Sequence, residues 1–324
     1  MKVVHTIAQL QAELQLLRSR EGATVGLVPT MGALHEGHAS LVKRSVQEND
    51  ATVVSIFLNP TQFNDKTDLA KYPRTLEADC RLLEQQGATI AFAPSVEEIY
   101  PEPDTRQFCY PPTDSVMEGA MRPGHFNGVC QIVSKLFSYV QPDRAYFGEK
   151  DYQQIAVIRR MVDDLGFRLQ IVPCPVIREQ SGLAMSSRNT LLTDAERATA
   201  ANIYRIMQES KAQGLDVPGT HDYVVSRINA VDGLEVQYFS IVDGDTLADD
   251  APSAESILMD KELLDALYDE LNRLDPDGRR ICELIMQGKT EREIAADMGK
   301  RQSTINYQKN KVFSILREAL KDFI

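Results

Sequence analysis

Apolar and polar positions along this chain fall into blocks that change period. Ile7, Leu10, Leu14 and Leu17 recur at helical spacing and predict a helix across residues 6–20. Apolar runs at 24–28, 51–58 and 89–93 are short and predict buried strands. Helical spacing fills 39–46 and 76–86 between them. Strand–helix–strand alternation predicts a parallel sheet with right-handed crossovers. Pro29 lacks a backbone donor and is expected to end the first strand's ladder. The pattern continues with a helix at 129–139, a short strand before Gly148, a helix at 155–165 and a strand at 168–176. A helix at 195–208 and an apolar run at 234–242, read as a strand, follow.

In parallel sheets ligands bind outside the carboxyl ends of the strands, where strand order reverses. One such end reads Val28-Pro29-Thr30-Met31-Gly32-Ala33-Leu34-His35-Glu36-Gly37-His38. Two histidines therefore sit where a strand gives way to a helix, whose free N–H groups and positive dipole end suit an anion. A pair of surface or capping histidines, or half a metal site, is the alternative. The chain holds five histidines, two of them on this turn, and no cysteine or third histidine lies nearby to complete a zinc site. Phosphate handling is the better reading.

Two further loops match it. Tyr146-Phe147-Gly148-Glu149-Lys150-Asp151-Tyr152-Gln153-Gln154 and Gly182-Leu183-Ala184-Met185-Ser186-Ser187-Arg188-Asn189 bring a lysine, two hydroxyls and a guanidinium. Each alone reads as a solvated turn or a helix cap. Together with the histidines they suit the oxygens of a triphosphate.

Composition changes the picture only at its margins. The chain of 324 residues is long enough for two or three domains. Its formal charge of −12 argues against a nucleic-acid binder along the whole chain, though not against a local basic face. Cys80, Cys109, Cys130, Cys174 and Cys282 are odd in number and lack metal spacing, which suggests free thiols in a reducing cytoplasm. No secretory leader and no membrane-spanning run is expected.

Residues 1 to about 247 resemble the pantoate–β-alanine ligases. The resemblance is carried by the histidine turn, Asn59-Pro60-Thr61-Gln62-Phe63, Tyr72-Pro73-Arg74-Thr75, Arg122-Pro123-Gly124-His125-Phe126 and the two loops above, in that order. It implies a Rossmann-like α/β nucleotidyl-transferase domain over 1–177 and an α+β lid from 178, commonly a homodimer. It implies adenylation of pantoate by MgATP, then condensation with β-alanine to pantothenate and AMP. His35 and His38 would bind phosphate, with His38 as proton donor. Lys150, Ser186, Ser187 and Arg188 would neutralise phosphate charge. Met31, Gly32, Gly148, Glu149, Asp151, Ile177 and Met185 would complete the ATP site. Gln62 and Gln154, with Asn59, would hold pantoate or β-alanine, and Asp79 would reach Mg²⁺ through water.

The resemblance stops inside the lid, so the lid (178–249) is expected to be truncated and to leave a sheet edge uncovered. Residues 250–256 read as a small polar linker. Residues 257–324 then carry helical spacing at 261–274 (Leu263, Leu264, Leu267 and Leu271) and at 279–287, a capping box from Thr290 to Glu293, a turn at Gly299 and a helix from Gln302. This all-α stretch resembles the helix-turn-helix of sigma factor region four, with LuxR-type domains second. The resemblance implies DNA or RNA polymerase as partner, with Arg301, Gln302, Ser303, Thr304, Asn306, Tyr307, Lys309 and Lys311 toward DNA and Lys300 on a phosphate. The second functional reading is an engineered fusion, with this transcription-like tail as the working part and the ligase as its carrier.

Overall fold

The structure is a computed structural model that describes residues 1–244, 273–286 and 289–319. Six parallel strands form one sheet: β1 Lys2–Val4, β2 Val25–Thr30, β3 Ala51–Ile56, β4 Ile90–Phe92, β5 Arg144–Gly148 and β6 Gln170–Cys174, in the order β1-β4-β3-β2-β5-β6. The order runs outward from β2 in both directions, so the switch point lies between β2 and β5. Helices in chain order are α1 Ile7–Arg18, α2 Glu36–Glu48, α3 Lys66–Lys71, α4 Leu76–Gln85, α5 Val96–Ile99, α6 Glu118–Met121, α7 His125–Val140, α8 Tyr152–Leu165, α9 Asp194–Lys211 and α10 Val217–Asn229.

Alternation along the strands builds two cores. Leu27 and Val53, paired in register, point to the face covered by α1, α7 and α8; Val28 and Val54 point to the face covered by α2 and α4. Central α7 is buried along most of its length, which explains its apolar character. On the other face α2 lies close against β2 at Gly26. A Cβ there would stand 2.2 Å from Ser45 Oγ and 2.6 Å from Asn49 Nδ2. Ser45 Oγ in turn bonds Thr52 Oγ1 at 2.8 Å, tying helix to sheet.

Pro29 does not end the ladder: β2 stays paired with β3 through Thr30. Val25 exchanges hydrogen bonds with Asp143, so odd-numbered β2 residues address the β5 side. Pairing with β5 stops at Leu27, and the proline nitrogen faces a side where no donor is needed.

The chain divides into two compact units, Met1–Asp250 and Ala251–Ile324. In the first, α9 and α10 make a small core through Ile206, Val224 and Ile228. The run at 234–242 is not a strand: residues 234–241 have no ladder partner among the described residues, and an apolar extended segment needs one. In the second unit, α11 Pro276–Met286, α12 Glu291–Asp297 and α13 Gln302–Ala319 pack Ile281, Leu284, Ile294 and Ile305 together. The capping box of Thr290 and Glu293 forms, and Gly299 makes its turn at φ 62°. Asp275 caps the first of these helices, accepting from the Gly278 N–H, and the helix starts at Pro276. The linker at 250–256, most of the helix read at 261–274 and Gly288 lie outside the described residues. The five cysteines are free. Among the described residues no helix is long and apolar enough to cross a membrane.

Gly26→Ala is expected to lower stability by about 1–3 kcal/mol, because α2 must move off β2 or give up the Ser45–Thr52 bond. Urea denaturation of the full chain reads the loss.

Candidate active site

The loop after β2 turns back on itself to start α2. Gly32 has φ 86° and Ala33 φ 50°, both left-handed. Alanine there costs roughly 1–2 kcal/mol. The Asp79 carboxylate, reaching across from α4, accepts the Leu34 N–H at 2.8 Å and the Ala33 N–H at 3.0 Å. Bonds to a charged acceptor contribute about 1.5–3 kcal/mol each, enough to offset the strained turn. Asp79 also accepts the Thr75 hydroxyl at 3.0 Å and is 2 % exposed. Its oxygens bind the backbone of the turn and the Thr75 hydroxyl. Among the described residues no group of three His, Cys, Asp or Glu could hold a metal.

His35 is the N-cap of α2 and His38 its third residue. His35 Nδ1 accepts the Gly37 N–H at 3.1 Å, and His38 Nδ1 accepts the His35 N–H at 3.3 Å. Both protons therefore sit on Nε2, and the rings lie 4.1 Å apart. Burial, then nearby Lys150, lowers the His35 pKa. Burial, then His35 and Lys150, pushes His38 down to about 3. Both imidazoles are neutral N–H donors at pH 7.

These groups line a cavity of ≈ 200 Å³. Met31, His35, His38 and Gln62 reach it from the β2 and β3 side, and Gly148, Lys150, Asp151 and Gln154 from the end of β5. Ile177, Met185, Ser186, Ser187 and Arg188 close it. Of the expected ATP contacts, Gly32 and Glu149 stand behind this wall rather than on it. Lys150 pairs with Asp151 at 3.0 Å, and Arg188 makes two bonds to Asp68 at 2.7 and 3.1 Å. Ser186 caps the short 3₁₀ turn Ser187–Leu191. Ser187 is buried and donates to the Ala33 carbonyl at 3.0 Å.

A smaller adjoining cavity of ≈ 150 Å³ shares His38, Gln62 and Gln154, and Asn59 reaches only this one. The Asn59 amide bonds Gln62 Oε1 and the Gly128 carbonyl, both at 3.0 Å, and accepts the Tyr100 hydroxyl at 2.9 Å. Asn59 thus orients Gln62 while lining the smaller cavity. Sequence reasoning assigned no part to Tyr72, Arg122 and His125, which also line the main cavity. Their signal was present in the two motifs that contain them. His125 Nδ1 lies 2.8 Å from the Gln62 carbonyl.

The family described as Pantoate-beta-alanine ligase matches residues 2–268, further than the resemblance read from motifs. The chain belongs to the pantoate–β-alanine ligase family. The pantothenate synthetases of Bacteroides thetaiotaomicron and Bacteroides fragilis are each 65 % identical over 249 residues, 76 % of this chain and 88 % of theirs. The pantothenate synthetase crystal structure from Thermus thermophilus superposes with a TM-score of 0.72 at 46 % identity, covering 77 % of this chain and 90 % of that one. A Francisella tularensis pantoate–β-alanine ligase structure, complexed with a β-γ ATP compound and β-alanine, gives 0.69 at 36 % identity, covering 75 % and 90 %. The ligase part is an enzyme of this family, and the carrier reading draws no support from these matches. They do not address the tail either.

In the second unit the residues expected at DNA are unevenly placed. Arg301, Gln302, Ser303, Thr304, Asn306 and Lys311 are exposed, and Tyr307 is 71 % exposed. Lys309 is held by Glu291, which also accepts from Asn306, and Lys300 is held by Asp277.

The lowered His35, His38 and His125 pKa values carry a sign. Below pH 6.5 the unfolded chain binds protons these folded sites refuse, so stability falls as pH drops toward 3. Each such proton adds a slope approaching about 1.4 kcal/mol per pH unit. Denaturation between about pH 6 and 5 is expected to show this slope, made shallower by His38→Gln.

Proposed function

We propose that the chain joins pantoate to β-alanine in two steps at this cavity. The carboxylate of pantoate attacks the α-phosphorus of MgATP, the bond to pyrophosphate breaks, and pantoyl adenylate forms. The neutral amine of β-alanine then attacks the acyl carbon, AMP leaves, and the amine proton passes to solvent. The observation that carries this reading is the pair of imidazoles at the α2 N-terminus, sharing one cavity with Lys150 and the Ser186–Arg188 loop.

Each group has a part in it. The two Nε2–H groups meet the phosphoryl oxygens as charge grows there, with no proton transfer required of them. Lys150 and Arg188 exchange Asp151 and Asp68 for the β- and γ-phosphates. Such partly exposed ion pairs contribute little, so the exchange is inexpensive. Met31, Gly148, Ile177 and Met185 shape the nucleotide side, while Gln62 and Gln154 hold pantoate by hydroxyl and carboxylate in the adjoining cavity. Mg²⁺ arrives on the nucleotide, held by phosphate and water.

A second reading concerns the tail alone. The exposed polar start of α13, with Tyr307 standing out from it after the Gly299 turn, has the form of a helix that enters a DNA major groove. With Lys300 and Lys309 already paired, its hold on phosphates would be modest.

His38→Ala is expected to lower kcat by about 10²–10³-fold, read as pyrophosphate released from ATP and pantoate. Wild-type protein should form AMP and pantothenate once β-alanine is added, and a wild-type protein that releases no pyrophosphate removes the ligase reading. For the tail, a mobility shift on duplex DNA that weakens as salt rises is expected. A shift unchanged in Arg301→Ala/Lys311→Ala removes that reading.

A further inference from the structure

Asp79 lies on α4, behind the turn it touches, and is not among the residues that line either cavity. Its carboxylate nevertheless binds the two backbone N–H groups that immediately precede His35. Ser187 holds the same turn from the opposite loop, donating to the Ala33 carbonyl, and Tyr72 donates to Ser187 Oγ at 3.4 Å. Between these two holds sits Ala33 at φ 50°, a conformation alanine disfavours. A left-handed non-glycine residue persists only where its surroundings over-determine it.

We infer that Asp79 is a positioning residue for the ligation. Its carboxylate, with Ser187 opposite, holds the Gly32–Leu34 turn in left-handed geometry and so sets where the His35 and His38 Nε2–H groups meet the reacting phosphate. This rests on the reading of the cavity as the adenylation site. The hold also ties together the two loops that grip the nucleotide, because Ser187 belongs to the Ser186–Arg188 loop while it bonds the histidine turn. Ser187 thereby acts as a brace between loops, where the sequence suggested a phosphate ligand.

The chemistry of the pair makes this testable. Asparagine keeps the size of Asp79 but offers one acceptor and one donor, so one of the two backbone N–H groups loses its partner. Ala33 then relaxes from the left-handed region and carries His35 with it. Glycine at position 33 has no such preference and keeps the turn without the clamp.

The experiment measures pyrophosphate release in full-length wild type, Asp79→Asn, Ala33→Gly and the double variant, across a Mg²⁺ titration. Asp79→Asn is expected to lose about 10- to 100-fold in kcat. The KM for pantoate should stay within about twofold, and so should the Mg²⁺ concentration at half-maximal rate. In the Ala33→Gly background the same substitution should cost at least about fivefold less, since the strain it releases is gone. A loss of equal size in both backgrounds overturns the inference. So does a raised Mg²⁺ requirement, which would make Asp79 a metal contact. Should Asp79→Asn fail to fold, Thr75→Val, which removes only the hydroxyl bonded to Asp79, carries the test. A smaller loss of kcat, again reduced in the Ala33→Gly background, supports the clamp, and an unchanged kcat overturns it. Wild-type turnover in the same assay separates failure of the inference from failure of the ligase reading.

Discussion

Parallel strands that leave a shared ladder toward opposite neighbours open a crevice at their carboxyl ends, and β2 and β5 pair only at Gly26 and Leu27. Beyond that point β2 follows β3, while β5 follows β6. The parting decides several things at once. It leaves the Pro29 nitrogen facing a side without a partner. It gives the chain after β2 room to turn through Gly32 and Ala33 before α2 begins. It also sets the loop after β5, with Lys150, against the same cavity as His35 and His38. A sheet in which β2 and β5 stayed paired to their ends would bring these loops together with no space between them.

The electrostatics follow from that enclosure. Two imidazoles beside a helix N-terminus and a lysine are penalised for carrying charge, so they stay neutral and keep their Nε2 protons. The cations around them are paired with Asp151 and Asp68 at the rim, where water screens the pairing. The arrangement has donors fixed in place and cations free to change partner. A highly charged nucleotide supplies a better partner than either carboxylate, so binding itself reorganises the rim while the donors stay put.

Much of this was legible in the sequence, because strand runs and turn chemistry are local signals. The five strands β2 to β6, and the histidine and lysine loops, follow from period and from glycine placement. What was not legible depends on partners distant in the chain. Pro29 reads as a stop unless the direction of each peptide group is known. Asp79 and Asn59 carry the same side-chain chemistry whatever they meet, and only the fold shows which backbone groups each one holds. Helix α10, which begins with Val217-Pro218-Gly219, carries a proline and a glycine in its first turn that hide it from periodicity. The run at 234–242 has the pattern of a strand, but a strand exists only beside another.

That last point bears on how residues 234–244 are held. Residues 234–244 belong to the first unit: Leu234, Val236 and Phe239 pack against the Ile206, Val224 and Ile228 core, and side-chain bonds hold the rest. Tyr238 donates to Glu118 at 3.0 Å, and Tyr152 donates to the Gly244 carbonyl at 2.9 Å. Burial and then Glu118 push the Tyr238 phenol up to about 12, so it remains a donor throughout the working pH range. Glu118 also holds Arg122, whose guanidinium lies 3.5 Å from the Gln62 carbonyl, so the segment reaches the pantoate side through two intermediaries. Bonds of this kind contribute about 1 kcal/mol each, far less than a strand ladder would. The walls of the main cavity come from the sheet ends and the loops that follow them, with no residue of 234–244 among them. The tight packing of α7 against Gln62, with Gly128 set close under the Thr61 carbonyl, gives those walls their rigidity. The site is therefore built into the ends of the sheet and the helices and loops that follow them.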